Sequence, residues 1–227
     1  MRTLTKEMQE KLTPQQALTL LKEGNKRFIN NLKINRNLLQ QVNETSEGQY
    51  PFAFILSCID SRTSAELIFD QGLGDIFSCR IAGNILNSDI VGSMEFACKI
   101  SGSKIIVVLG HTKCGAINGA CANVQIGNLT GLLAKIRPAI DAEVATMKDV
   151  TSANSNNFIE NVTHQNVRLT LKQIPEQSPI LAKLIQEGKI ILVGAIYNVE
   201  TGAVNFFEDE VITSKSYRGQ HLIKHFF

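Results

Sequence analysis

Two cysteines and a histidine are the residues in this chain best suited to bind a metal. His111 and Cys114 stand three residues apart at the end of one apolar run, and Cys58 closes another. Thiolate sulfur and neutral imidazole nitrogen are zinc ligands, and a catalytic zinc site takes three protein ligands and leaves a fourth position to water. The segment Cys58-Ile59-Asp60-Ser61-Arg62 then places a carboxylate and a guanidinium just after the first thiol. A bidentate guanidinium pair would keep Asp60 ionised and hold it off a metal, a geometry lysine cannot copy. A plainer reading fits the same residues: Cys58 as a core thiol, H-x-x-C as a chance pairing, and Asp60 with Arg62 as a solvated pair on a surface turn. Spacing alone leaves both readings open.

For these groups to meet, segments far apart in sequence must end side by side. The apolar runs 51–58, 75–82 and 104–111 lack strict alternation, as parallel strands covered on both faces do. Helical stretches lie between them, the second with Ser88 as its expected N-cap and Gly102 just past its end. Strand and helix alternate, which is the pattern of a parallel α/β sheet. Neighbouring parallel strands present their carboxyl ends together, and ligands bind there in open α/β sheets.

Further along, the pattern is helical beyond residue 114, with a polar linker near 151–157 and a helix opened by Ser178 and Pro179 and stopped by Gly188. Residues 189–199 read as another strand, followed by a turn at Thr201 and Gly202 into an edge strand. At the amino end, Thr13, Pro14 and Gln16 announce a capped helix with Ala17, Leu20, Leu21 and Phe28 on one side. The expected fold is α/β: one domain over 1–227, with a mostly parallel sheet of about four strands plus an edge strand, flanked by helices. A helical arm covers about 1–48, the core about 49–208 and a C-terminal extension about 209–227.

Composition narrows the partners. The 227 residues carry 23 basic and 21 acidic side chains, a net charge of +2, and no Lys/Arg tract, which disfavours nucleic acid. No apolar stretch reaches membrane-spanning length and no leader is visible, so a cytoplasmic protein acting on a small molecule is expected. Five cysteines make an odd number in a chain too large to need disulfides. Cys79, Cys98 and Cys121 read as buried small hydrophobes. His164, His221 and His225 read as lone exposed histidines, and none is assigned a proton-shuttle role.

Taken together, C-I-D-S-R at 58–62 and G-H-T-K-C-G-A at 110–116 resemble the β-class carbonic anhydrases. The resemblance extends to R-I-A-G-N at 80–84, E-F at 95–96 and Y-N-V-E-T-G at 197–202, in the family's order and spacing, over roughly 13–208. It implies one zinc ion per subunit on Cys58, His111 and Cys114, with Asp60 and Arg62 as a catalytic dyad and Asp60 as a conditional fourth ligand. Gln49, Phe77, Ala82, Phe96 and Gly115 fall on substrate-binding positions. The family draws some of these from a neighbouring subunit, so a homodimer or larger homo-oligomer is implied, with the N-terminal helix packed on the partner.

The implied reaction is reversible hydration of carbon dioxide to bicarbonate and a proton by zinc-bound hydroxide. Hydrolysis of carbon disulfide or carbonyl sulfide on the same site is the alternative reaction, and a non-catalytic zinc-binding protein the alternative class. Two thiolates cancel the formal charge of the ion, so activity is expected to rise toward alkaline pH. The chain departs from the family's pattern at Ile59, usually serine, and at Phe96, often tyrosine. Ile55 replaces the tryptophan of the subgroup with an inhibitory bicarbonate pocket. Although Arg80 matches that pocket's arginine, the chain resembles the plant-type subgroup that lacks it.

Overall fold

Aliphatic and β-branched runs form the middle of the sheet, buried at every position in β1 (Ala53–Ser57), β3 (Ile105–His111) and β4 (Ile191–Tyr197). β2 (Ile76–Arg80) and β5 (Val204–Phe206) flank them, giving the order β2-β1-β3-β4-β5. The first four strands are parallel and β5 is antiparallel to β4. The computed structural model describes residues 3–147 and 156–217. His221, His225, most of the 151–157 linker and the end of the C-terminal extension lie outside the described residues.

The order of the strands reverses at β1. The chain leaves β1 through α4 (Ala65–Ile68) for β2 on one side, then returns through α5 (Ser88–Glu95) to β3 on the other. Right-handed crossovers running in opposite directions must cover opposite faces. Accordingly Ala65 and Ile68 join Ile55, Val107 and Val193 on one face, and Ile90, Val91 and Met94 join Leu56, Ile106 and Val108 on the other. The crevice between β1 and β3, beyond their carboxyl ends, is therefore left open between the diverging connections.

α2 (Pro14–Ile29) forms with the expected capping box on Thr13 and Gln16 and covers the first face with Ala17, Leu18 and Leu21. Leu18 thus takes a core place, while Leu20 and Phe28 are only half-buried. One face of α2 thus lies on its own sheet. α1 (Lys6–Lys11) is also pinned to its own chain, with the buried Gln9 amide donating to the carbonyls of Pro51 (2.7 Å) and Ser101 (2.8 Å). α3 (Leu38–Glu44) follows. Before it, Arg27 and Arg36 converge on the buried carboxylate of Asp70, at 2.6 and 2.5 Å.

Over the second face run α9 (Asn156–Gln177) and α10 (Pro179–Gln186), the latter capped by Ser178 as expected. Gly188, at φ +68°, ends it. The N-cap of α5 is Asn87, not Ser88: its side-chain oxygen accepts from the Ile90 amide at 2.9 Å, because Asn87 holds the extended backbone a cap requires. α5 continues as one wider turn, Phe96–Ile100, before Gly102. α6 (Gly115–Cys121), α7 (Gly127–Ala134) and α8 (Arg137–Val144) close the open end of the sheet. Cys98 is buried, whereas Cys79 and Cys121 are half-buried. No helix of the described residues is long and apolar enough to cross a membrane.

Close packing of α2 depends on Gly24. A Cβ there would lie 1.8 Å from the Phe69 carbonyl oxygen, a backbone atom that cannot step aside. Next to it, the Asn25 amide donates to Ile68 and Gly202 carbonyls and its oxygen accepts from the Val204 amide, tying helix to sheet edge. Gly24→Ala is expected to cost about 3 kcal/mol of unfolding free energy, measured by urea titration.

Candidate metal centre

Sheet register brings the donors together. Ser57 pairs with Leu109, so Cys58, one residue on, leaves β1 beside the last residues of β3. His111 ends β3 opposite Tyr197 of β4, and the chain then reverses through Lys113, at φ +56°, to deliver Cys114 at the start of α6. Sγ of Cys58, Sγ of Cys114 and a ring nitrogen of His111 all lie within 4.8 Å of one another, and all three residues are buried. This is a set able to hold a metal ion, brought together at the strand-order reversal.

The orientation of the imidazole is set by its other nitrogen. Nδ1 of His111 lies 2.9 Å from the Thr112 carbonyl oxygen, which makes it the protonated nitrogen, donating. Nε2 is left as a buried lone pair with no hydrogen-bond partner among the described residues. Buried polar atoms without partners are costly, so an orphaned acceptor facing two thiols fits a metal-ligating role. Thr112 is held in turn, its amide donating to Tyr197 and its hydroxyl accepting from the Val199 amide.

Between the two thiols the charges are unequal. Cys58 and Cys114 stand 4.0 Å apart. A hydrogen bond from Cys114 pulls Cys58 well below the ordinary thiol range against the cost of burial, with help from His111 and the Gly83 amide, 3.3 Å from Cys58 Sγ. That same bond, with burial and the charge on Cys58, pushes Cys114 up, beyond what the Ala116 and Ile117 amides of α6 can offset. Gly83 can donate because its φ of +68° turns the amide inward, and the buried Asn166 holds its carbonyl at 2.8 Å.

Asp60 and Arg62 form the pair expected from their types. Arg62 Nε and Nη2 donate to the two oxygens of Asp60 at 2.9 and 2.8 Å, and the Arg62 amide adds a third bond at 3.0 Å. The Arg62 guanidinium holds the Asp60 carboxyl well below the usual carboxylate range, although partial burial opposes it. A hollow of about 380 Å³ opens beside Cys58, Ile59 and Asp60, and includes Ala82, Gly115 and the apolar Leu129 and Leu133.

The sequence model described as carbonic anhydrase matches residues 53–204. The chain is 34% identical over 192 residues to carbonic anhydrase 2 of Mycobacterium tuberculosis, covering 83% of this chain and 90% of that one. It is 30% identical to the carbonic anhydrase of Mycolicibacterium smegmatis, over 84% of this chain and 92% of the relative. A crystal structure of a β-carbonic anhydrase of Aspergillus fumigatus superposes with a TM-score of 0.68 at 26% identity, covering 75% and 81% of the two chains. The chain belongs to the β-class carbonic anhydrases.

Within this carbonic anhydrase chain the remaining candidate residues separate into two places. Ala82 and Gly115 line the hollow beside Cys58. Gln49 does not reach it: it is exposed and precedes β1, whereas Cys58 follows β1, about 17 Å of extended strand away. Phe77 sits early in β2, opposite Phe54, and with Phe96 lines a separate hollow that includes Cys79, their rings 6.2 Å apart and edge-on. His164 is half-buried, contrary to the exposed position expected of it. Its ring stacks on Phe207 at 5.4 Å, and burial pushes it below the ordinary histidine range. Sequence reasoning passed over Thr63, Gly83 and Asn166, whose partners are backbone atoms or a thiol that no spacing pattern reveals.

Metal loading should release protons according to this asymmetry. With Cys58 already ionised and Cys114 not, binding one divalent ion at pH 7.5 is expected to liberate about one proton rather than two. Calorimetry in two buffers of different ionisation enthalpy measures the number.

Proposed function

We propose that this chain catalyses the reversible hydration of carbon dioxide to bicarbonate and a proton, with zinc as its metal and Asp60 and Arg62 as its catalytic dyad. The observation that carries the proposal is the pairing of two features at the adjoining ends of β1 and β3: a buried Cys58–His111–Cys114 donor set with a free imidazole nitrogen, and a carboxylate whose two oxygens are both taken by Arg62. Bound to the three donors, zinc would act as a Lewis acid that makes water nucleophilic near neutral pH.

The rest of the chemistry falls to the chain. Asp60 stays ionised across the physiological range, so it can accept a hydrogen bond from the attacking oxygen and aim its lone pair at carbon dioxide. Arg62 keeps that carboxylate from becoming a further ligand. A permanently closed, non-catalytic centre is disfavoured for this reason. Small side chains at Ala82 and Gly115, with Leu129 and Leu133 behind them, give an apolar wall suited to a small linear substrate.

Stopped-flow assay of carbon dioxide hydration tests the assignment, and absence of turnover in the zinc-loaded chain would overturn it. Arg62→Ala is expected to lower kcat/KM about 100-fold while zinc content, read by atomic absorption, stays at that of the unaltered chain.

The placement of Gln49, Phe77 and Phe96 favours a site completed by a second copy. Apolar side chains at Leu38, Leu39, Val42, Leu73, Phe96 and Ile100 stand exposed on one chain, which suits a covered face. Sedimentation velocity is expected to give a dimer or larger assembly of the 25.0 kDa chain. A fully active monomer would contradict it.

A further inference from the structure

The segment that carries Cys58, Asp60 and Arg62 is gripped by its carbonyl oxygens. Arg80 Nε donates to the Cys58 carbonyl at 3.1 Å, and Arg80 Nη2 to the Asp60 carbonyl at 2.6 Å. The hydroxyl of Thr63, a buried residue, reaches the same two oxygens at 2.9 and 2.8 Å. A threonine hydroxyl carries one hydrogen, so Thr63 can donate well to only one of them at a time. Arg80 has a separate N–H for each, and its planar guanidinium fixes the distance between them.

Arg80 is itself well anchored. It ends β2 in register with Ser57, the residue before Cys58, and the Ile81 amide extends the ladder by donating to Ser57 at 3.0 Å. Among the described residues no carboxylate pairs with Arg80, so its charge is directed at these two carbonyls. Charge-assisted bonds of this kind are about twice as strong as neutral ones. Their position is the informative part. Any backbone turn that carries the Asp60 carboxylate off Arg62 would also pull the Asp60 carbonyl off Arg80.

We propose that Arg80 and Thr63 are positioning residues, a two-carbonyl clamp that keeps Asp60 on Arg62 and out of the Cys58–His111–Cys114 donor set. The inference rests on the metal-centre reading above. Neither side chain is assigned a contact with substrate or metal.

The test uses the full chain loaded with cobalt(II), whose visible spectrum reports its coordination, and thiocyanate as a probe of an open coordination position. Arg80→Met and Thr63→Val are expected to keep one equivalent of cobalt, bind thiocyanate about tenfold more weakly, and lose about tenfold in kcat with little change in KM. Thr63→Ser, which restores the hydroxyl, should match the unaltered chain. Arg80→Lys, able to reach one carbonyl but not both, should fall between. Retained cobalt guards against reading misfolding as an effect, and the Lys and Ser variants keep the test decisive if Arg80→Met does not fold. Unaltered thiocyanate affinity and spectrum in cobalt-loaded Arg80→Lys and Thr63→Val would overturn the clamp. The expected spectral order in a chain that hydrates no carbon dioxide would support the clamp and sink only the assigned reaction.

Discussion

Everything at this centre depends on the parallel pairing of β1 with β3. Register sets Ser57 beside Leu109, and this alone carries Cys58 to the neighbourhood of His111 across more than fifty residues of sequence. Reversal of strand order at β1 then sends the two connections to opposite faces and leaves the crevice free. The interior pays attention to the same register from below: β1, β3 and β4 are buried at every position, so a slip of one residue would put every side chain on the wrong face. Fold stability and donor geometry are thus enforced by one set of hydrogen bonds.

Charge explains why the donors need so much backbone around them. Two thiols 4.0 Å apart cannot both ionise cheaply in a buried site, so Cys58 is drawn down and Cys114 pushed up. The amides that face them come from the Gly83 turn and the first turn of α6, both fixed dipoles that cost no reorganisation. The carboxylate meets the opposite constraint. Asp60 is only partly enclosed, yet Arg62 holds both its oxygens, so its ionisation is secured by pairing rather than by solvent. A cation-binding centre and an anionic side chain two residues apart can then coexist without collapsing onto each other.

Much of this was legible in the sequence, for identifiable reasons. Strands buried on both faces write long apolar runs, and those of β1, β3 and β4 marked the middle of the sheet. Thr13 with Gln16, and Ser178 ahead of Pro179, are caps in which a side chain bonds a residue three positions on, and such local devices can be read directly. Asn87 displaced Ser88 as the cap of α5 because both residues have capping side chains and only backbone conformation chooses between them. The placement of α2 on its own sheet turned on Gly24 and Asn25, whose partners Phe69, Ile68 and Gly202 are distant in sequence. His164 was misjudged for the same reason: polar neighbours in sequence did not disclose that Phe207 would stack on it.

The candidate site divides along the same line. Cys58, Asp60, Arg62, His111 and Cys114 belong to two short segments, and residue type plus a family resemblance pointed to them. What orients those residues is mostly backbone chemistry: the Thr112 carbonyl on the imidazole, the Gly83 amide on a thiol, the carbonyls of Cys58 and Asp60 held from β2. A carbonyl oxygen is present at every residue, so its use leaves no compositional trace. Ile59 illustrates the converse. It departs from the family's usual serine, yet it stands 61% exposed at the mouth of the hollow while the carbonyls of Cys58 and Asp60, the residues on either side of it, are pinned. Because the carbonyls rather than the side chain hold the segment, position 59 is free to vary in polarity without moving the thiol or the carboxylate it separates.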